Sequence, residues 1–273
     1  MSDGDFAVFQ KILYAQSGIV LSDAKRALVE SRVNQRLKAL GQGSFSAYLA
    51  FLAKDATGEE LVHLIDVIST NITNFFREAD HFELLDREVG GWAEQGTGKL
   101  RVWSAACSTG EEPYTLAMTL YPHMARHSLD LKILATDIST RVLARANAGV
   151  YDAERLKKVP DDLRARFFTR RDGPEGEAYA VSDELKRMIM FRRLNFTVFP
   201  YRIKGVFDVI MCRNAMIYFD RTLRAKMVQE FARLLRPQGL LMIGHAETLM
   251  GIESSFRTLK PSVYIRTNDG VDN

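Results

Sequence analysis

Past residue 98 the chain is written in short apolar runs, LRVWSA at 100–105, LKILATD at 131–137, FDVIMC at 207–212 and LLMIGHA at 240–246, separated by stretches of helical periodicity. Runs of this length without polar alternation read as strands buried on both faces, the signature of a parallel sheet covered by helices. The last three end at or beside polar groups: Asp137, Arg213 with Asn214, and His245 with Glu247. The first runs into a glycine-containing turn at 108–110. Ligands of open α/β sheets gather at the carboxyl ends of strands, so the pattern predicts a doubly wound, mostly parallel sheet with a single cleft there. Segments 256–260 and 263–266, separated by Pro261 and Ser262, predict a hairpin that closes the sheet.

The first part reads differently. Phe6, Phe9, Ile12 and Leu13 recur at helical spacing, and Gly18 predicts a break. Asp23 is expected to cap a helix from Lys25 to Leu40, whose stripe of Val29, Val33, Leu37 and Leu40 needs a buried partner. Gly41 and Gly43 end it, Ser44 caps the next helix, and 60–68 carries a further apolar period. A composition of 47% hydrophobic and 26% charged residues over 273 positions suits a globular chain with a real core, and the formal charge of +3 does not ask for a polyanionic partner. The only cysteines, Cys107 and Cys212, lie in no CxxC pair, and the histidines form no HExxH set, so neither a disulfide framework nor a metal is expected. The opening MSDGDFAVFQ lacks a signal-peptide pattern and no apolar run is long enough to span a bilayer, which predicts a cytoplasmic protein.

The richest segment is RVWSAACSTGEEPYTLAM at 101–118: a strand, a tight turn and a helix opening on Glu111, Glu112 and Pro113. Gly110 there is expected to admit a ligand close to the backbone. With one glycine and two carboxylates the turn departs from the dinucleotide fingerprint and disfavours a diphosphate. It suits instead a ligand with an α-amino group, a sulfonium or a ribose, although acids at a helix start also simply favour the dipole. Asp137 follows the second strand where an acid commonly holds ribose hydroxyls, and it can equally cap the helix beginning near Ser139. Asn195 in FRRLNF offers a donor and an acceptor to an adenine edge or serves a turn. Arg77, in STNITNFFREADHF at 69–82, can clamp a carboxylate or pair with Glu78 or Asp80. The Tyr218 hydroxyl can meet a substrate or anchor the helix that follows. Lys25, Arg32 and Arg36 fall on one flank of the second helix, with Glu30 offsetting them, and predict a surface for an acidic protein partner rather than nucleic acid. The polar stretch RRDGPEGEAY at 170–179 reads as an excursion built from a hairpin.

In this order, STNITNFFRE, RVWSAACSTGEEPYTLAM, LATDIS, FRRLNF, MCRNAMIYFD and GLLMIGHAE make a chain that resembles the bacterial chemotaxis receptor methyltransferases along almost its whole length. The resemblance implies S-adenosylmethionine as cofactor, S-adenosylhomocysteine as product, no metal, and methyl esterification of chemoreceptor glutamates for adaptation. It implies a helical receptor-recognition domain over 1–75 and a methyltransferase domain over 76–273, with a small β-subdomain inserted at about 160–195. By motif it assigns Thr70, Asn71, Thr73, Arg77, Glu111, Asp137, Asn195, Phe196, Arg213 and Asn214 to the cofactor, and Arg77 and Tyr218 to the neighbourhood of the accepting carboxylate. Ser69, Phe196 and Ala215 stand where the family commonly has threonine, leucine and valine. Lys25, Arg32 and Arg36 correspond to the surface that reads the cytoplasmic methylation helices of receptors, and the excursion at 170–179 to a subdomain that grips a receptor's C-terminal peptide by strand addition. The other readings open at this stage are a cofactor- or peptide-binding adaptor without turnover, and methylation of RNA or a metabolite on the same fold.

Overall fold

A computed structural model describes residues 1–69, 71–173 and 176–268. Thr70 and the tip of the 170–179 excursion lie outside the described residues.

The helical part comprises α1 (Asp3–Ser17), α2 (Arg26–Leu40), α3 (Phe45–Lys54) and α4 (Glu59–Ile68). Its ends are set by local chemistry. Ser2 and Asp5 form a reciprocal capping box on α1, and Gly18 closes the helix at φ 73°, a left-handed conformation that suits glycine. The Ser44 hydroxyl accepts from the Ala47 N–H at the start of α3. Asp23 does not cap α2; it opens a short 3₁₀ turn at 23–25 that leads into the helix. Phe6, Phe9, Leu13, Val29, Val33, Leu37, Tyr48 and Leu64 are buried together in one core, so the stripe of α2 has the partner its periodicity demands.

The remainder contains α5 (Ala79–Glu94), β1 (Lys99–Ala105), α6 (Glu111–His127), β2 (Asp130–Asp137), α7 (Thr140–Ala148), β3 (Val150–Asp152), α8 (Asp161–Phe167), β4 (Phe168–Gly173), β5 (Gly176–Val181), α9 (Asp183–Lys186), β6 (Ile189–Arg193), β7 (Phe207–Cys212), α10 (Arg221–Leu234), β8 (Leu235–Ile243), β9 (Phe256–Lys260) and β10 (Val263–Arg266). The main sheet has the order β6-β2-β1-β7-β8-β10-β9. Its first five strands are parallel, and β10 joins antiparallel with β9 as the expected hairpin. This is the expected doubly wound, mostly parallel α/β sheet. Separate cores cover its two faces, one around Leu100, Val102, Leu116 and Ile133, the other around Trp103, Ile210, Phe231 and Leu241. Side chains of β1 therefore alternate between two dry layers, as an uninterrupted apolar run requires.

A second sheet, β3-β5-β4, is antiparallel. It takes its first strand from 150–152, upstream of the expected 160, while 189–193 belongs to the main sheet as β6 rather than to the insertion. The short β3 carries no apolar run and is invisible to periodicity.

Candidate functional site

The chain crosses from β2's side of β1 to β7's side, and the loops that leave these three strands face one cleft of about 350 Å³. Ala106, Cys107 and Ser108 follow β1, Asp137 and Ile138 end and follow β2, and Arg213, Asn214 and Ala215 follow β7. The opposite wall comes from the helical part and the segment after it: Ser17, Ile19, Lys25, Ile68, Asn71, Thr73 and Arg77.

Asp137 is 8% exposed. Its Oδ2 accepts from the Ser108 N–H at 2.9 Å and its Oδ1 from the Ser139 N–H at 3.0 Å. Burial pushes its pKa up, and these backbone donors pull against that. Each carboxylate oxygen keeps a free lone pair for a hydroxyl. The cap of α7 is instead the Ser139 hydroxyl, which accepts from the Val142 N–H. The capping function weighed for this acid thus belongs to its neighbour.

Glu111 and Glu112 part company. Glu111 is completely buried and turned away from the cleft, accepting from the Thr109 hydroxyl at 2.7 Å and from the Arg155 guanidinium. Glu112 faces the cleft, accepting from Ser104 Oγ at 2.7 Å and Arg213 Nη1 at 3.2 Å. Burial raises its pKa against the pull of Arg213. The acid that faces the cleft is therefore Glu112 and not Glu111: on a helix, adjacent residues point about 100° apart and only one of them can line it. Gly110 is also not a point of ligand approach. At φ 99° a Cβ there would meet the Tyr151 hydroxyl at 2.8 Å and the Ala146 Cβ at 2.9 Å, so glycine is required by packing.

Arg213 is held by a residue that pattern reading named only as a partner for Arg77. Glu78, at φ 55°, accepts from Arg213 Nη2 at 3.0 Å, from Asn214 Nδ2 at 3.2 Å and from the His245 N–H at 3.3 Å. Burial alone would raise its pKa; Arg213, Asn214 and His245 outweigh that and lower it. Beneath, the buried Glu247 accepts from the backbone N–H groups of Asn214, Gly244 and Ile217, fixing the loop that presents Asn214 and Tyr218. The sequence signal for both was their place in the motifs STNITNFFRE and GLLMIGHAE. Charged residues beside a strand end are ambiguous until their partners are known.

Arg77 lines the cleft, donates to the Ile72 carbonyl at 3.0 Å and stands 4.0 Å from Glu78. Tyr218 lines it too, with the Lys25 ammonium 4.7 Å above its ring. Asn71, Thr73 and Phe196 are on its walls. Asn195 is not. Its Nδ2 donates to the Gln16 carbonyl and its Oδ1 accepts from Thr197, so its amide pins the 195–197 turn to the end of α1 and serves the turn role.

The basic flank of α2 disperses. Arg32 donates to the carbonyls of Val67, Ile68 and Ser69 at the end of α4, and Arg36 forks onto the buried Glu60 at 2.6–2.9 Å. Both guanidinium groups make hydrogen bonds inside the fold while staying half-buried, and Lys25 alone of the three stands at the cleft. Among the described residues, no helix is long and apolar enough to cross a membrane.

Two family models match the chain: "CheR methyltransferase, all-alpha domain" over residues 4–69 and "CheR methyltransferase, SAM binding domain" over 71–265. The chain is 40% identical over 269 residues to the chemotaxis protein methyltransferase of Escherichia coli K12, covering 98% of this chain and 93% of that one. It is 38% identical to the Salmonella typhimurium protein of the same name, at 98% and 92% coverage. It is 39% identical over 260 residues to chemotaxis protein methyltransferase 2 of Pseudomonas aeruginosa, at 95% and 92%.

Proposed function

The chain belongs to the CheR chemotaxis protein methyltransferase family, and from that premise we propose that the cleft at its strand ends is where S-adenosylmethionine and a receptor glutamate meet. The protein is an S-adenosylmethionine-dependent protein-glutamate O-methyltransferase that esterifies glutamate side chains of chemoreceptors. The observation that carries the assignment of the site is the convergence of Glu112, Asp137, Arg77 and Tyr218 on one cleft.

The residues fit the cofactor. Asp137 has lone pairs to spare for ribose hydroxyls, and Glu112 offers a half-buried acid to the amino group or the sulfonium. Ile138 and Phe196 supply apolar walls for a base, while Asn71, Thr73 and Asn214 add polar contacts. When bound, S-adenosylmethionine supplies a methyl group made electrophilic by its sulfonium. The chain's own part is then to bring up the acceptor. A glutamate with a reference pKa near 4.3 is already anionic at neutral pH, so no general base is needed. Lys25 and Arg77 attract the carboxylate to the mouth, and Tyr218 orients it through its hydroxyl. Arg77 best serves by contacting the oxygen that does not react, because a cation on the nucleophilic oxygen stabilises the ground state. Alignment and exclusion of water supply the acceleration.

We divide the labour near residue 70: the helical part contributes Lys25 and one wall, the α/β part the chemistry. A methylation helix of the receptor is the partner that suits a cleft edged by Lys25 and Arg77. The β-subdomain suits a receptor's C-terminal peptide, because β4 pairs only with β5 among the described residues and offers a free edge for strand addition. Such a tether raises local substrate concentration without altering the chemical site. Titrating receptor C-terminal peptides by calorimetry tests it. One selective binder supports the tether, and no heat from any peptide removes it.

A further inference from the structure

The turn that forms the floor of the cleft is conformationally costly. Ala106 and Ser108 adopt φ 67° and 50°, left-handed values that a side chain disfavours, and Gly110 follows at 99°. Such a run persists only where its surroundings over-determine it. From the cleft side it is held by Ser108 N–H on Asp137 and by Cys107 N–H on the Thr136 carbonyl. From the far side it is held by residues that no ligand reaches. The Tyr151 hydroxyl, in β3, donates to the Thr109 carbonyl at 2.7 Å. Arg155, in the 3₁₀ turn after β3, donates to Glu111 and lies 3.4 Å from the Thr109 hydroxyl, which itself donates to the other Glu111 oxygen. Asp152 accepts from the Arg155 N–H at 2.9 Å and fixes where that turn begins. Glu111 is fully enclosed, and Arg155 is its only cationic partner among the described residues, so without Arg155 a buried carboxylate keeps one hydroxyl for company. The adjacent Tyr151 ring packs edge-on against Phe75 at 5.0 Å, within the segment that also supplies Asn71, Thr73 and Arg77.

We propose that Arg155 is a positioning residue for the methyltransferase: acting through Glu111 and Thr109, it locks the 106–110 turn in its cofactor-binding shape while touching neither cofactor nor acceptor. This gives Glu111 a function that its seat outside the cleft otherwise leaves unexplained, and it ties the inserted subdomain to the cofactor site through the Arg155–Glu111 ion pair beside the Tyr151 hydrogen bond. The inference rests on the assignment of the cleft to S-adenosylmethionine.

The test compares Arg155→Gln, Arg155→Lys, Glu111→Gln and the double variant Arg155→Gln/Glu111→Gln by S-adenosylhomocysteine calorimetry and steady-state kinetics. Leu163→Ala in α8 serves as a control that destabilises the same region without reaching the turn. Arg155→Gln is expected to raise the Kd, and the KM for S-adenosylmethionine, about tenfold with kcat within about twofold, as for loss of a charged hydrogen bond. Arg155→Lys restores part of the affinity. The double variant is no weaker than Arg155→Gln alone, because the two act as one unit. Leu163→Ala lowers Tm but leaves Kd unchanged. An unchanged Kd in Arg155→Gln, additive losses in the double variant, or an equal affinity loss in Leu163→Ala overturns the inference while the cofactor site stands. A wild-type protein that takes up no S-adenosylhomocysteine overturns the site assignment and this inference with it.

Discussion

The neighbouring acids Glu111 and Glu112 show what a single residue's direction decides. A motif names both, yet one opens on the cleft and the other is sealed against Arg155, and no one-dimensional pattern separates them. Glu112→Gln is therefore expected to weaken S-adenosylhomocysteine binding by direct loss, with Asp137→Ala costing roughly 10- to 1000-fold, both read by calorimetry; unchanged affinity removes either from the site. The place of Asp137 at the cleft was legible because it ends a strand of the parallel sheet. That of Asn195 was not, since an asparagine's two-sided amide serves turns and ligands equally, and here Gln16 and Thr197 occupy it. His81 carries a different prediction. It is 1% exposed, and burial, reinforced by Arg213, lowers its pKa from 6.5 to about 4. The native state thus binds fewer protons than the unfolded chain between these values, and its contribution to stability is lost as pH falls from about 6.5 to 4. Integrated, this amounts to about 3 kcal/mol, and His81→Asn should flatten that acid limb in urea titrations at stepped pH. Parallel curves for the two proteins would contradict it.

Among the elements, α2 is the one whose meaning changed. Its stripe of Val29, Val33 and Leu37 was readable and is buried as expected, because period alone sets which face packs. Its basic flank turns partly inward for a related reason: a helix's long cations at the stripe's margin reach back to the neighbour that covers the stripe. Arg36 meets Glu60 on α4, whose pKa burial would raise but Arg36 and Tyr48 hold down. Arg36→Ala leaves that acid buried beside only Tyr48 and is expected to cost about 3 kcal/mol, seen as a lower denaturation midpoint. Lys25→Glu, at the cleft edge, should instead depress receptor methylation with Tm and cofactor affinity nearly unchanged, by reversing the charge that attracts an acidic acceptor. Equal methylation rates for Lys25→Glu and wild type would remove Lys25 from docking.

For the whole molecule, the architecture was largely legible: buried runs gave the parallel strands, the Pro261–Ser262 break gave the hairpin, and the strand-end polar groups gave the cleft's place. The part that was not legible is that the helical region contributes to one wall of that cleft, since nothing local in Ser17, Ile19 or Ile68 announces a ligand wall. A protein reduced to residues 76–273 is accordingly expected to lose cofactor affinity by at least about tenfold, even though it keeps Asp137 and Glu112. The central claim is that this single two-walled cleft carries methyl transfer to receptor carboxylates. Its most direct measurement is transfer of radiolabelled methyl from S-adenosylmethionine into receptor, followed by alkaline hydrolysis, with Asp137→Ala in parallel. The account predicts alkali-labile label with wild type and little with the variant; alkali-stable label, or equal labelling by both proteins, would contradict it.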